Sequence, residues 1–199
     1  MSSPAAPEDE QLMAAYAAGD ARAFEMLYDR HEARLWSYVL RSVGDAANAD
    51  ELAQEVWFSV ARQAGAYRPT AGAAGRPTAR FSTWLFTLAR HRVIDHLRAR
   101  RPHARLDDDL GDGQTLADTL AAPSGFGPLR RVETREQAAQ LLAALDALPP
   151  AQREAFLLQA EAGMGVAEIA AATGVGPETA KSRLRYARAA LRRALEHIA

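Results

Sequence analysis

The chain has 199 residues, enough for one medium domain or two small ones and too few for a large two-lobed enzyme. Its 48% apolar content includes 45 alanines, so strong core-formers are modest in number and the composition favours helix over strand. Cysteine is absent, which excludes a disulfide framework, a thiolate zinc site and a cysteine nucleophile, and the formal net charge is only −1.

The first twenty residues hold Glu8, Asp9, Glu10 and Asp20 without a Lys or Arg. They do not form the basic start of a signal or transit peptide, and residues 1–19 read as an acidic tail or the start of the first helix. Asp20 is an N-cap for a helix to about Val43, with Phe24, Leu27, Tyr28, His31, Leu35, Tyr38 and Val39 at helical spacing, and Gly44 supplies the stop. Asn48 is expected to open a second helix to about Gln63. On it Ala49, Leu52, Ala53, Val56, Trp57 and Val60 share a face, with Asp50, Glu51, Gln54 and Glu55 opposite. The Gly- and Pro-containing stretch 65–78 predicts an exposed loop. A third helix follows from Phe81 to about Arg101, where Pro102 ends it. Residues 103–128 lack a sustained helical stripe and read as a linker. The last helical set begins near Val132: Leu141, Leu142, Leu145 and Leu148 lead to Pro149, and Pro150 suits the first turn of a helix carrying Ala155, Phe156 and Leu158. A short helix over 166–173 is followed by Gly174-Val175-Gly176 and a final helix with Pro177 at its first position. No internal repeat relates the halves, and no apolar run approaches membrane-spanning length.

The near-zero net charge hides segregation. Residues 67–105 hold nine arginines against Asp95, whereas 106–128 hold five aspartates and no base. Six bases and no acid lie between Thr179 and Arg193. Two basic segments around an acidic stretch suggest two nucleic-acid surfaces on two domains, although basic runs also arise as solvated helix faces.

The segment 165–195 has the proportions of a helix-turn-helix: a short helix, a glycine turn and a longer basic helix. Ala170 is small where the helices must cross, and Gly174 can take the positive φ of the turn. Ala180, Leu184, Ala187 and Leu191 fall on one face of the last helix, while Glu178, Lys181, Ser182, Arg185 and Arg192 point the other way. That outer face can offer cations to guanine edges, a carboxylate to cytosine and further donors to phosphates.

With these motifs in order, the chain resembles bacterial extracytoplasmic-function (ECF) sigma factors, two-domain members of the sigma-70 family. NADELAQEVW at 48–57 looks like the acidic region 2.2 helix, and FSTWLFTLARHRVIDHLRARR at 81–101 like the aromatic-then-basic helix of regions 2.3 and 2.4. LPPAQREAFLL with GVAEIAAATGVGPETAKSRLRYARAALR looks like region 4. The resemblance implies an all-α fold of two small helical domains, region 2 over 20–102 and region 4 over 132–199, joined by an acidic flexible linker at 103–131. It implies a dissociable subunit that binds core RNA polymerase, through the beta-prime clamp helices and the beta flap, and promoter DNA. An anti-sigma factor is a further implied partner. No cofactor, metal, catalytic residue or membrane insertion is expected, and a cytoplasmic location is.

Residue by residue, the resemblance puts Asp50, Glu51, Gln54, Glu55 and Phe58 against the polymerase. It puts Arg68, Arg76, Arg80, Phe81, Trp84, Phe86, Arg90, His91 and Arg92 at the minus-10 element and its melting, with His91 standing where the family commonly has Asn. The spacing of Phe81 and Trp84 with Leu85 and Leu88 is also that of a core stripe. Pro177, Glu178, Thr179, Lys181, Ser182, Arg183, Arg185, Tyr186 and Arg188 fall on the minus-35 recognition helix. The linker aspartates Asp107, Asp108, Asp109, Asp112 and Asp118 match a connector that enters the polymerase cleft in place of nucleic acid, or form a solvated spacer.

Two rivals come from the residues alone. A conventional helix-turn-helix regulator would use 166–193 by itself and leaves the acidic and the aromatic-basic helices unexplained. A metal-dependent enzyme built on His91, Asp95 and His96 has too few ligands and neighbouring arginines that repel a cation.

Overall fold

The computed structural model describes residues 6–68, 80–100 and 135–196, with helices α1 (Asp9–Ala17), α2 (Ala21–Val43), α3 (Ala46–Gln63), α4 (Phe81–Arg100), α5 (Arg135–Asp146), α6 (Pro150–Ala160), α7 (Val166–Thr173) and α8 (Pro177–Glu196). A 3-10 turn at Ala64–Ala66 follows α3. Among the described residues all regular structure is helical, and no helix is long and apolar enough to cross a membrane.

Local chemistry sets the helix ends. The Asp20 carboxylate accepts the Arg22 N–H at 3.0 Å, and Gly44 closes α2 at φ 77°, where only glycine is unstrained. Helix α3 begins earlier than expected. Asp45 is its cap, and Asn48 sits in the first turn, donating its backbone and side-chain N–H to that carboxylate at 2.8 and 2.6 Å. Within the stretch read as a tail or the start of a helix, residues 9–17 form a separate helix. It buries Leu12 and Met13.

Helices α1, α3 and α4 surround α2, while α5, α6 and α7 pack on α8. The second group encloses a small core of Leu141, Leu142, Leu145, Leu148, Phe156, Ala187 and Leu191. The larger core belongs to both groups. It runs from Leu27, Leu35, Tyr38, Phe81 and Phe86 into Leu157, Leu158, Met164 and Ile169. An alanine-diluted chain gains apolar burial by joining its two helical sets in this way.

The joint also contains a buried ion pair. Glu161, fully buried, accepts from Arg41 Nη1 at 2.5 Å and from Ser37 Oγ at 3.3 Å. Burial pulls the Arg41 guanidinium below its ordinary value, and the adjoining Glu161 carboxylate opposes that shift.

Candidate nucleic-acid interface

Helices α7 and α8 form the predicted helix-turn-helix. Gly174 has φ 68°, the Val175 N–H reaches the Ala170 carbonyl at 3.0 Å, and Pro177 starts α8. Ala180, Leu184, Ala187 and Leu191 are buried, which turns Glu178, Thr179, Lys181, Arg185, Tyr186 and Arg188 to solvent. Ser182 and Arg183 are half-buried at the flanks of that face. The Arg185 guanidinium stacks 4.9 Å above the Tyr186 ring, so a cation and an exposed aromatic form one projecting unit. Arg188 donates to Gln159 of α6.

Helix α4 is a different surface. Phe81 and Phe86 are fully buried and Trp84 half-buried. Tyr67 lies against Trp84 at 4.9 Å and edge-on to Phe81 at 6.1 Å, so an aromatic cluster lies at the start of α4. The arginines here are engaged. Arg80 reaches Glu168 Oε2 at 3.2 Å and the Gly163 carbonyl at 2.9 Å, and Arg90 Nε reaches Glu154 Oε1 at 2.8 Å. Arg92 donates to Ser59 Oγ at 3.2 Å and lies 3.8 Å from Glu55. Glu168 also accepts from Thr83 Oγ1 at 2.5 Å and from the Gly165 N–H at 2.8 Å. Partial burial works to raise its pKa, but these hydrogen bonds and the Arg80 charge outweigh burial and hold the carboxyl below its usual range.

The polar face of α3 borders an open groove of about 500 Å³ whose apolar walls include Phe24, Tyr28, Trp36, Trp57 and Phe58. Phe58 is 64% exposed. Trp36 donates its indole N–H to Asp50 at 2.6 Å, fixing that carboxylate at the rim. Glu32 and Gln54 stand on the same groove, and Glu51 is exposed on the face beside it. An apolar trough rimmed by carboxylates is complementary to a basic amphipathic helix and repels nucleic acid.

Comparison with known families matches residues 27–103 to sigma-70 region 2 and 138–191 to sigma-70 region 4. The ECF RNA polymerase sigma factor SigL of Mycobacterium tuberculosis is 33% identical over 182 residues, covering 92% of this chain and 94% of its own. The chain belongs to the ECF sigma factors of the sigma-70 family. The RNA polymerase sigma factor CarQ of Myxococcus xanthus is similarly related, 34% identical over 166 residues, with 83% and 84% of the two chains covered. Among solved structures, CnrH in complex with the cytosolic domain of CnrY superposes with a TM-score of 0.61 at 26% identity, covering 96% of this sigma factor and 99% of that chain. RpoE of Bartonella quintana, in complex with the anti-sigma factor NepR, matches the fold with a TM-score of 0.59 at 21% identity, covering 81% and 89%.

Within this ECF sigma factor the residues expected at the minus-35 element share one end and face of α8. Those expected at the minus-10 element are spread through different environments. Arg68 is exposed, its guanidinium on the Gly65 and Tyr67 carbonyls at 2.6 and 2.9 Å, and His91 is exposed on α4. Phe81 and Phe86 support the surface from beneath. Arg76 and the aspartates of 107–118 lie outside the described residues. The sequence reading missed the groove contributions of Tyr28 and Trp57, which periodicity assigns to core stripes, and of Trp36, which it left unassigned. It also missed Glu10, whose carboxylate accepts the Phe81 N–H at 2.8 Å.

Proposed function

We propose that this ECF sigma factor is a non-catalytic initiation subunit whose polymerase-facing surface is the acidic aromatic groove between α2 and α3. Asp50, Gln54 and Phe58 contribute polar and anchoring contacts there, Glu51 and Glu55 extend the acidic face of α3 beside it, and an exposed aromatic is the centre of binding energy. Lys181, Arg185 and their neighbours on α8 read the minus-35 element. The α4 surface, with Trp84, Arg80, Arg90, His91 and Arg92, takes the minus-10 region as it is unstacked, a task suited to aromatic platforms beside cations. Residues 20–102 and 132–199 act as the two functional domains, with 103–131 connecting them.

One observation carries this reading: a solvent-facing basic recognition helix shares the chain with a groove whose charge fits protein and not DNA. A stand-alone regulator has no use for the second surface. Run-off transcription with core RNA polymerase on a promoter library tests it. Specific start sites are expected only when this protein is added, and Phe58→Ala should lower core affinity. Tight duplex binding by the protein alone, with no change in polymerase start-site choice, would refute the reading.

A further inference from the structure

The start of α4 draws on an acceptor from another helix. The Trp84 N–H bonds to the Arg80 carbonyl at 3.1 Å, which makes Arg80 the residue at the helix entrance, and an arginine neither accepts a backbone N–H nor suits the positive end of a helix dipole. The first turn of α4 holds no acidic residue. The acceptor comes instead from α1, 71 residues away: Glu10 Oε1 takes the Phe81 N–H at 2.8 Å.

Helix α1 is itself pinned to α2. Asp9 Oδ1 accepts from Arg30 Nη1 at 2.9 Å, Asp9 Oδ2 meets His31 Nε2 at 2.7 Å, and the Pro7 carbonyl accepts from Arg30 at 2.7 Å. The buried His31 ring stands 5.4 Å from the Phe81 ring. Leu12 and Met13 enter the core beneath. On the other side α1 packs on the Ala64–Ala66 turn that leads into Tyr67. Burial, with the Glu10 and Asp9 carboxylates close by, pushes the Tyr67 phenol up to about 12, so its hydroxyl stays protonated beside them. One short helix therefore holds the Tyr67 side and the Phe81 side of the aromatic cluster together.

We propose that α1 is a brace for the promoter-melting surface and that Glu10 is a positioning residue for capture of the unstacked minus-10 strand, acting through the start of α4. It touches no base itself. The inference rests on the proposed role of α4.

The test uses holoenzyme assembled from core polymerase and the full chain. The probe is a fluorescent single-stranded oligonucleotide carrying the non-template minus-10 region of a promoter mapped by run-off transcription with the wild type. Glu10→Ala should weaken its capture about five- to tenfold, the scale of a lost helix cap. Glu10→Gln keeps a carbonyl acceptor and should recover most of the affinity. Minus-35 duplex binding and core affinity should stay at the wild-type level. Val56→Ala, a cavity in the same domain away from α1, measures what general destabilisation does to capture. Wild-type capture by Glu10→Ala, or equal losses in both Glu10 variants that simply follow thermal stability as in Val56→Ala, overturns the brace. Trp84→Ala separates the two levels. If it loses capture while Glu10→Ala does not, only the brace fails; if neither loses capture, the minus-10 role of α4 fails and takes the brace with it.

Discussion

The two basic helices of this sigma factor, α4 and α8, stand in opposite states. On α8, Lys181 and Arg185 point to solvent, and the nearest acid is Glu178 at 3.7 Å from Lys181, on the same exposed turn. On and beside α4, Arg80, Arg90 and Arg92 each meet a carboxylate: Glu168, Glu154 and Glu55. Two of those carboxylates belong to the second helical set. With Glu161 they sit seven residues apart in sequence, and each meets an arginine of the first set. A carboxylate and a phosphate compete for the same guanidinium. The Lys181 and Arg185 charges are thus open to solvent, whereas any contact of Arg80 and Arg90 with a phosphate would have to displace Glu168 and Glu154 of the second set.

The largest test of this contrast is Glu161→Ala. It withdraws the carboxylate from a buried guanidinium, and such losses cost about 3–5 kcal/mol. Urea unfolding should show that loss, and small-angle scattering should show a larger radius of gyration if the helical sets part. The double variant Arg41→Met with Glu161→Leu should recover much of the stability, because an apolar pair removes both buried charges. A closed, fully stable Glu161→Ala protein would place the joint's strength in its apolar contacts alone.

Next in size are Lys181→Ala and Arg185→Ala. Each should weaken binding to a mapped minus-35 duplex by about 1–3 kcal/mol if it makes a good bidentate base contact. Equal loss on unrelated duplexes would reassign that side chain to phosphate contact. Because Lys181 and Arg185 are already exposed, these effects should be alike in the isolated protein and in holoenzyme. The effects of α4 variants should differ between the two.

Local rules account for why the exposed face of α8 was readable, and the span of α4 with it, while the pairing of the α4 arginines was not. The turn glycine, the proline at the first helical position and the apolar stripe of α8 are short-range signals, and the buried face they specify leaves the opposite face to solvent. The ends of α2 were equally legible in Asp20 and Gly44. The state of α4 depends on residues distant in sequence. Glu10, Glu154 and Glu168 lie 71, 64 and 88 residues from their partners Phe81, Arg90 and Arg80, and no periodicity encodes such pairings. The groove fell between these cases: Asp50 and Phe58 were legible on the polar face of α3, Phe24, Tyr28 and Trp57 read as ordinary core, and Glu32 and Trp36 of α2 carried no local signal.

A smaller effect is expected at Arg90. Replacing its partner by Glu154→Gln removes a partly exposed ion pair of about 1 kcal/mol or less. Free protein should then bind single-stranded DNA up to about fivefold more tightly, while holoenzyme should be almost unchanged if the helical sets are already apart there. An equal gain in both states would show that Glu154 acts as a general repulsive charge rather than as a competitor within the closed form.

The smallest signal is in acid. The Glu168 carboxyl has its pKa held below the ordinary value of 4.5 in the folded protein, so the native state binds its proton less readily than the unfolded chain. Its contribution is therefore complete above that ordinary value and fades as pH falls through the lower, folded one. Wild type should exceed Glu168→Gln in stability by a constant margin near neutral pH, and the margin should shrink below about pH 4.5. Asp9 behaves in the same direction. Burial works to raise its pKa, but His31 and Arg30 outweigh that and hold it low, so α1 also loosens from α2 in acid. Comparing acid titrations of Glu168→Gln and Asp9→Asn separates the two: the first should flatten the pH dependence of the joint between the helical sets, read by scattering, and the second that of the first set alone, read by near-ultraviolet signals of its tryptophans. A margin for Glu168→Gln that widens toward low pH would mean that the protonated carboxyl is the form that holds Thr83 and the start of α7, with Arg80 contributing little.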